Sequence, residues 1–190
     1  EIYNFQEIKP ELEKKGHRFY SHTDTEVIVH AYEEYGEKCL EHFNGMFTFA
    51  IWDSNKKQLF IARDRIGIKP LYYYWKNGKL IFGSEIKAIL QCQEVKRKLS
   101  KNGLSQLIQH SFSIDGQTLF ENIKELMPSH YMILKDRNLQ IKKYWDFNVN
   151  TTHKNKKFYV DNVRKLMFES VKEMMMSDVP IGAALSGGLD

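Results

Sequence analysis

Met46-Phe47-Thr48-Phe49-Ala50-Ile51-Trp52 is apolar at nearly every position, and the polar cluster Asp53-Ser54-Asn55-Lys56-Lys57 separates it from Gln58-Leu59-Phe60-Ile61-Ala62. An apolar run of that length suits a strand covered on both faces, and a second run just beyond a turn makes a hairpin. Further on, Asn77-Gly78 lies between Leu71 to Trp75 and Lys79 to Phe82. Asn-Gly supplies the positive φ angles that a two-residue turn demands, so a second hairpin follows. Tyr131 to Leu134 and Leu139 to Tyr144, joined through Lys135-Asp136-Arg137-Asn138, form a third.

Helices accompany these strands. The first readable one begins near Thr23, where Thr23-Asp24-Thr25-Glu26 has capping-box spacing: a hydroxyl for the third amide and a carboxylate to reach back. Val27, Ile28, Ala31, Tyr32 and Tyr35 recur on one face, and Gly36 is a natural stop. Glu37 to Phe43 follows, with Cys39, Leu40 and Phe43 as its apolar side; Ser84 to Leu90 reads as a capped helix, and another covers Leu104 to Phe112. Residues 148–157 are polar with no apolar period, a linker of about ten residues. From Phe158 a longer helix places Val160, Val163, Leu166, Met167, Val171, Met174 and Met175 at three–four spacing, a stripe that reads as core-facing. The chain thus divides into a mixed sheet-and-helix domain over 1–147, a linker over 148–157, and the beginning of another domain over 158–190.

Composition narrows the classes. Hydrophobic residues make up 42% and aromatic residues 13% of the 190, with four Pro, which excludes a disordered chain. No apolar run reaches the ~18 residues of a membrane span, and no basic–apolar–small leader is present. Cys39 and Cys92 form no disulfide framework, and no CxxC or His/Cys cluster suggests zinc, so a reducing, cytoplasmic setting is expected. The net charge of +4 arises from 28 basic residues interleaved with 24 acidic ones. The densest basic stretches, Lys96-Arg97-Lys98 and Lys154 with Lys156-Lys157, fall in connections and read as solvated loops, so neither a nucleic-acid nor a membrane partner is expected. The sequence opens at Glu1 rather than Met and stops at Asp190 within a glycine turn, so both ends read as cut.

That last turn carries the strongest chemical signal. Val179-Pro180-Ile181-Gly182-Ala183-Ala184-Leu185 reads as a short apolar strand leading into Ser186-Gly187-Gly188-Leu189-Asp190. Glycines let backbone amides approach a ligand closely, and a hydroxyl adds a donor, which suits a phosphate or pyrophosphate; taken alone, the same residues also make a plain turn. The Gly-Lys-Ser/Thr spacing of the common phosphate loop is absent.

Asp178-Val179-Pro180-Ile181-Gly182 with Leu185-Ser186-Gly187-Gly188-Leu189-Asp190 resembles the pyrophosphate loop of glutamine-hydrolysing asparagine synthetases. Other motifs of that family follow in its order. They are Glu1-Ile2-Tyr3-Asn4, Thr23-Asp24-Thr25-Glu26-Val27-Ile28, Asn44-Gly45-Met46-Phe47, Ala62-Arg63-Asp64-Arg65-Ile66-Gly67-Ile68-Lys69-Pro70, Ser84-Glu85-Ile86-Lys87-Ala88, Leu126-Met127-Pro128-Ser129-His130 and Lys143-Tyr144-Trp145. The resemblance covers essentially the whole chain. It implies an αββα sandwich of the N-terminal-nucleophile hydrolase class (a class II glutaminase) truncated at its N-terminus, of overall α+β and α/β character. The first helix, strand and loop of an α/β adenine-nucleotide hydrolase-like synthetase domain would follow.

The activity implied is ATP-dependent ligation: ammonia from glutamine attacks aspartate activated as aspartyl-AMP, giving asparagine, AMP, diphosphate and glutamate. Glutamine, aspartate and ATP are the implied substrates, Mg2+ the implied metal, and a homodimer an assembly the resemblance allows. By that resemblance Glu1 and Asp24 bind glutamine, where carboxylates suit an α-ammonium group. Asp24 equally fits a plain helix first-turn role. Leu185, Ser186, Gly187, Gly188 and Asp190 match the ATP-binding elements. Met46 and Ile68 fall where the family lines its ammonia passage, although core packing accounts for them equally. Arg63, Asp64 and Arg65 read as a structural loop network.

The family's nucleophilic cysteine is expected upstream of Glu1, together with an arginine segment and an Asn-Gly, so no catalytic residue is assigned here and the 190 residues alone are expected to be inactive. Two other readings use the same motifs: a relative that amidates or ring-closes a different carboxylate, and a non-catalytic binding domain of the same fold.

Overall fold

Strand β2 (Gln58–Arg63) carries large apolar side chains on both faces, and this fixes the layers of the molecule. Successive side chains of a strand point to opposite sides. Phe60 and Ala62 therefore face one way, and Leu59 and Ile61 the other. The computed structural model describes residues 1–112, 114–149, 154–185 and 187–188. It divides into two units, Glu1–Phe147 and Asn148–Asp190.

In the first unit β2 pairs antiparallel with β1 (Thr48–Asp53) and β6 (His130–Lys135), and β6 pairs with β7 (Asn138–Lys143), giving a sheet of order β1-β2-β6-β7. A second sheet holds β3 (Tyr72–Lys76) between β4 (Lys79–Gly83) and β5 (Ile123–Glu125). On one side of the first sheet, Phe60, Ala62, Tyr131 and Ile133 pack against three helices. These contribute Leu12 of α1 (Phe5–Lys14), Val27, Ala31 and Tyr32 of α2 (Asp24–Tyr35), and Leu40 of α3 (Cys39–His42). On its other side, Ile61 and Met132 meet Leu71, Tyr73 and Leu126. The far face of the second sheet buries Tyr74 and Ile123 against Ile89 of α4 (Ile86–Ile89) and Val95. The layers are thus helix, sheet, sheet, helix, the expected αββα sandwich.

Several local expectations shift. The apolar run 46–52 is not covered on both faces: β1 is an edge strand, Phe49 and Ile51 pack inward, and Trp52 is 61% exposed on the open face. Double coverage belongs to β2, which lies between both layers. Helix α1 precedes the first helix read from the sequence. It buries only Ile8 and Leu12 and contains Pro10, so its apolar period is faint. No capping box forms at Thr23. Glu26 turns the other way and accepts from the Tyr20 and Ser21 amides at 2.8 and 2.7 Å and the Ser21 hydroxyl at 2.5 Å. Those bonds hold its carboxyl down at about 2, the Ser21 hydroxyl contributing most. The β3–β4 turn is as expected, with Asn77 at φ 52° and Gly78 at φ 76°. The β6–β7 turn uses the same left-handed pair without glycine, at Asp136 and Arg137 (φ 50° and 57°).

Helix α5 (Lys101–His110) starts before its apolar period because the Ser100 hydroxyl accepts the Gly103 amide at 3.1 Å. Gly103 presses on the neighbouring chain: a Cβ there would stand 2.0 Å from the Thr118 carbonyl oxygen. Gly→Ala ordinarily stabilises a helix interior by about 1 kcal/mol. Here the clash is with backbone, which yields little, so Gly103→Ala is expected to destabilise by about 1–3 kcal/mol net. A urea unfolding curve checks the sign.

In the second unit α6 (Lys156–Met174) begins two residues before the expected Phe158, because the Asn155 side chain accepts the Phe158 amide at 2.8 Å and caps it. Its apolar residues, Val160, Val163, Met167 and Val171 among them, are exposed. The described residues 176–185 contain no strand where one was expected. A short apolar stretch becomes a strand only when another strand pairs with it. Among the described residues no helix is long and apolar enough to cross a membrane.

Candidate functional site

Residues 1–4 and 44–46 run antiparallel at one edge of the helical layer. The Glu1 backbone nitrogen donates to the Met46 carbonyl at 2.7 Å, the Met46 amide to the Glu1 carbonyl at 3.0 Å, and the Tyr3 amide to the Asn44 carbonyl at 2.8 Å. Ile2 and Gly45 form the bridge between them. Glycine is required there, since a Cβ on Gly45 would lie 2.1 Å from the Glu1 carbonyl oxygen. Asn4 closes the pair, its Nδ2 donating to the His42 carbonyl and its Oδ1 accepting the Asn44 amide, both at 2.9 Å.

Asp24, the first residue of α2, joins this corner. Its Oδ2 accepts the Ile2 amide at 2.8 Å and lies 3.8 Å from the Glu1 backbone nitrogen. Its Oδ1 is touched only marginally, by the Thr25 hydroxyl at 3.5 Å, and the side chain is partly exposed. The helix N-terminus adds a favourable field for this carboxylate. Glu1, Asp24 and Met46 are therefore neighbours, and Asp24 Oδ1, held only by the long Thr25 contact, stands where a cationic group can reach it.

Ile68 lies on the loop after β2, and Asp64 ties that loop to the same corner. The Asp64 carboxylate is 1% exposed and accepts five backbone amides. Oδ2 takes Phe47 (3.2 Å) and Lys69 (3.0 Å), and Oδ1 takes Ile66 (3.2 Å), Gly67 (2.7 Å) and Ile68 (2.9 Å). Arg63 braces the loop from beneath. Its Nη1 donates to Glu125 at 2.7 Å and to the Leu126 carbonyl, Nη2 to the Gly67 carbonyl at 2.7 Å, and Nε to the Lys69 carbonyl at 2.8 Å. Arg65 donates to the Glu41 carbonyl at 3.2 Å and lies over the Trp145 ring. All three side chains hold the loop's shape. Met46 is half-buried, whereas Ile68 is exposed, which removes core packing as its role.

Leu185 is 92% exposed, Gly187 adopts φ +77° and Gly188 follows it, while Ser186 and Asp190 lie outside the described residues. Sequence reasoning missed the Asn4–Asn44 clasp and the depth of Asp64; the Asn44-Gly45 pair was the available signal of a close backbone approach.

The Cys39 thiol does not suit nucleophilic chemistry. Cys39 is fully buried, and burial pushes its thiol up to about 12; Cys92 is half-buried beside α4. Thiolate is the reactive form, so iodoacetamide should label Cys92 first and Cys39 only on unfolding, as peptide mass analysis would read.

Residues 1–145 match the family model described as a glutamine amidotransferase domain, and residues 162–190 match the one described as asparagine synthase. Over its whole length the chain is 41% identical to glutamine-hydrolyzing asparagine synthetase 3 of Bacillus subtilis and 38% identical to putative glutamine-hydrolyzing asparagine synthetase 2 of Methanocaldococcus jannaschii. It spans 31% and 37% of the lengths of these relatives. Among solved structures, glutamine phosphoribosylpyrophosphate amidotransferase from B. subtilis, complexed with ADP and GMP, matches 78% of this chain and 28% of its own. The TM-score is 0.53 at 20% identity, a likeness of fold.

Proposed function

We propose, because the chain belongs to the glutamine amidotransferase domain family over residues 1–145, that its first unit handles glutamine for an asparagine synthetase and its second unit opens the ATP-using half. The juxtaposition of Glu1, Asp24 and Met46 carries this reading. The outward oxygen of Asp24, together with the exposed carboxylate of Glu1, whose backbone nitrogen lies 3.8 Å from Asp24 Oδ2, takes the α-ammonium group of glutamine by charge-assisted hydrogen bonds. Met46 and Ile68, on segments that Asp64 ties together, offer ammonia an apolar path. Such a path keeps it neutral and nucleophilic.

In the second unit, the amides and hydroxyl of Leu185, Ser186, Gly187, Gly188 and Asp190 receive the ATP phosphates. A carboxylate resists amination until it is an acyl phosphate, so aspartate is first adenylated with loss of diphosphate. Ammonia then displaces AMP and asparagine results, while water supplies the oxygen that turns glutamine into glutamate. Mg2+ accompanies the ATP phosphates in this reading, and Asp190, the loop carboxylate that would hold it, lies outside the described residues. Two free cysteines fit a reducing, cytoplasmic compartment.

The test is product analysis with the full-length protein, glutamine, aspartate, ATP and Mg2+. Asparagine and AMP in equal amounts are expected. Amidation of another carboxylate in preference to aspartate, or glutamine hydrolysis with no AMP formed, would overturn the proposal.

A further inference from the structure

Twelve residues lie between His17, in the loop after α1, and His30 on α2, yet their rings converge. The Nδ1 atoms are 3.2 Å apart. Glu33 Oε2, one turn along α2, lies 2.9 Å from His30 Nδ1 and 3.5 Å from His17 Nδ1. Four ligands at about 2.0 Å from a metal in tetrahedral geometry stand roughly 3.3 Å from one another. The three measured separations bracket that value.

The opposite edges of both rings face carboxylates. His17 Nε2 is 3.2 Å from Glu34 Oε2, and His30 Nε2 is 3.6 Å from Glu26 Oε1. A metal on Nδ1 leaves the proton of a neutral imidazole on Nε2, the nitrogen that faces these accepting carboxylates. Two Nδ1 atoms and a carboxylate oxygen converge on one small space, and a cation at the centre would satisfy all three. Phe19 sets the His30 ring edge-on at 4.5 Å, and the side chains of His17 and His30 are only 15% and 16% exposed, so the rings are held in place.

We propose that His17 Nδ1, His30 Nδ1 and Glu33 Oε2 bind a divalent transition-metal ion of the zinc type, with water as fourth ligand, and that Glu34 and Glu26 orient the imidazoles from behind. Two imidazoles and one carboxylate suit Zn2+; Mg2+ and Ca2+ take oxygen sets. Carboxylate-backed imidazoles are the usual outer shell of such sites. The ion clips the loop bearing Phe19 to α2, whose first residue is Asp24. This site is independent of the glutamine reading, since none of its ligands belongs to the corner of Glu1, Asp24 and Met46.

Calorimetric titration of the chelator-treated full-length protein with Zn2+, alongside the variants His17→Gln and Glu33→Gln, decides the matter. The wild type is expected to bind one Zn2+ at micromolar concentration or below that either variant loses. Glu34→Gln is expected to weaken it by about 10–100-fold, as outer-shell changes do. Co2+ in the same site should show the intense visible bands of four-coordination, and circular dichroism of each variant verifies that it is folded. No binding at micromolar Zn2+, or equal binding in a folded His17→Gln/His30→Gln double variant, overturns the site.

Discussion

Asp64→Ala is expected to cost the first unit about 3–5 kcal/mol. Hydrogen bonds to an ionised group contribute ~1.5–3 kcal/mol each, and a buried donor stripped of its acceptor costs ~1–3 kcal/mol. Five amides converge on this one carboxylate, from Phe47 at the start of the edge strand and from Ile66, Gly67, Ile68 and Lys69 in the loop. Water admitted to the vacated space recovers part of the loss, which keeps the sum below five full bonds. For a unit of this size the change lowers the melting temperature by roughly 10 °C. Asp64→Asn keeps the shape but turns donors toward donors, so its loss is expected to approach that of Ala. A melting temperature within a degree or two of wild type would show that the loop is held by Arg63 alone.

Asp24→Asn is expected to lower kcat/KM for glutamine by about 10²-fold in the full-length protein, the ~3 kcal/mol upper end for a hydrogen bond to a charged group. Asparagine formation from added ammonia should be unchanged, because that route bypasses glutamine. The amide substitution is chosen deliberately. An Asn oxygen still accepts the Ile2 amide, which wild-type Asp24 holds at 2.8 Å, so the corner keeps its shape while losing its charge. Asp24→Ala would remove both. Most of the effect should fall on KM, since the α-ammonium group is bound alike in ground and transition states. An equal fall in both routes would assign Asp24 a structural role only.

Much of the sandwich was legible. The tight hairpin at Asn77-Gly78 follows from turn chemistry and the amphipathic period of α2 from spacing. The last hairpin was legible too, but with Lys135 and Asn138 assigned to its connection, whereas they end β6 and begin β7. What escaped was set by tertiary context. Composition made 46–52 look doubly buried, but which strand is sandwiched depends on sheet order, and β1 lies at an edge. Glu26 had the spacing of a capping box, yet the preceding loop offers it two amides and a hydroxyl, and it bonds those instead. Strand β5 is three residues long, too short for any period to show. At the candidate site, Asp24 and Glu1 came from resemblance; that they meet, with Met46, is a property of the pairing that Gly45 permits. His17 and His30 gave no signal at all, because twelve residues and a turn separate them in the chain.

The most direct test of the account feeds amide-15N glutamine, aspartate and ATP to the full-length protein and follows the label by NMR. The account predicts that the label appears in the side-chain amide of asparagine, with one glutamate formed per asparagine, and that Asp24→Asn slows this transfer about 10²-fold at glutamine concentrations below KM while leaving asparagine formation from ammonia intact. Label that stays in glutamine, or that enters any acceptor but aspartate, would contradict it.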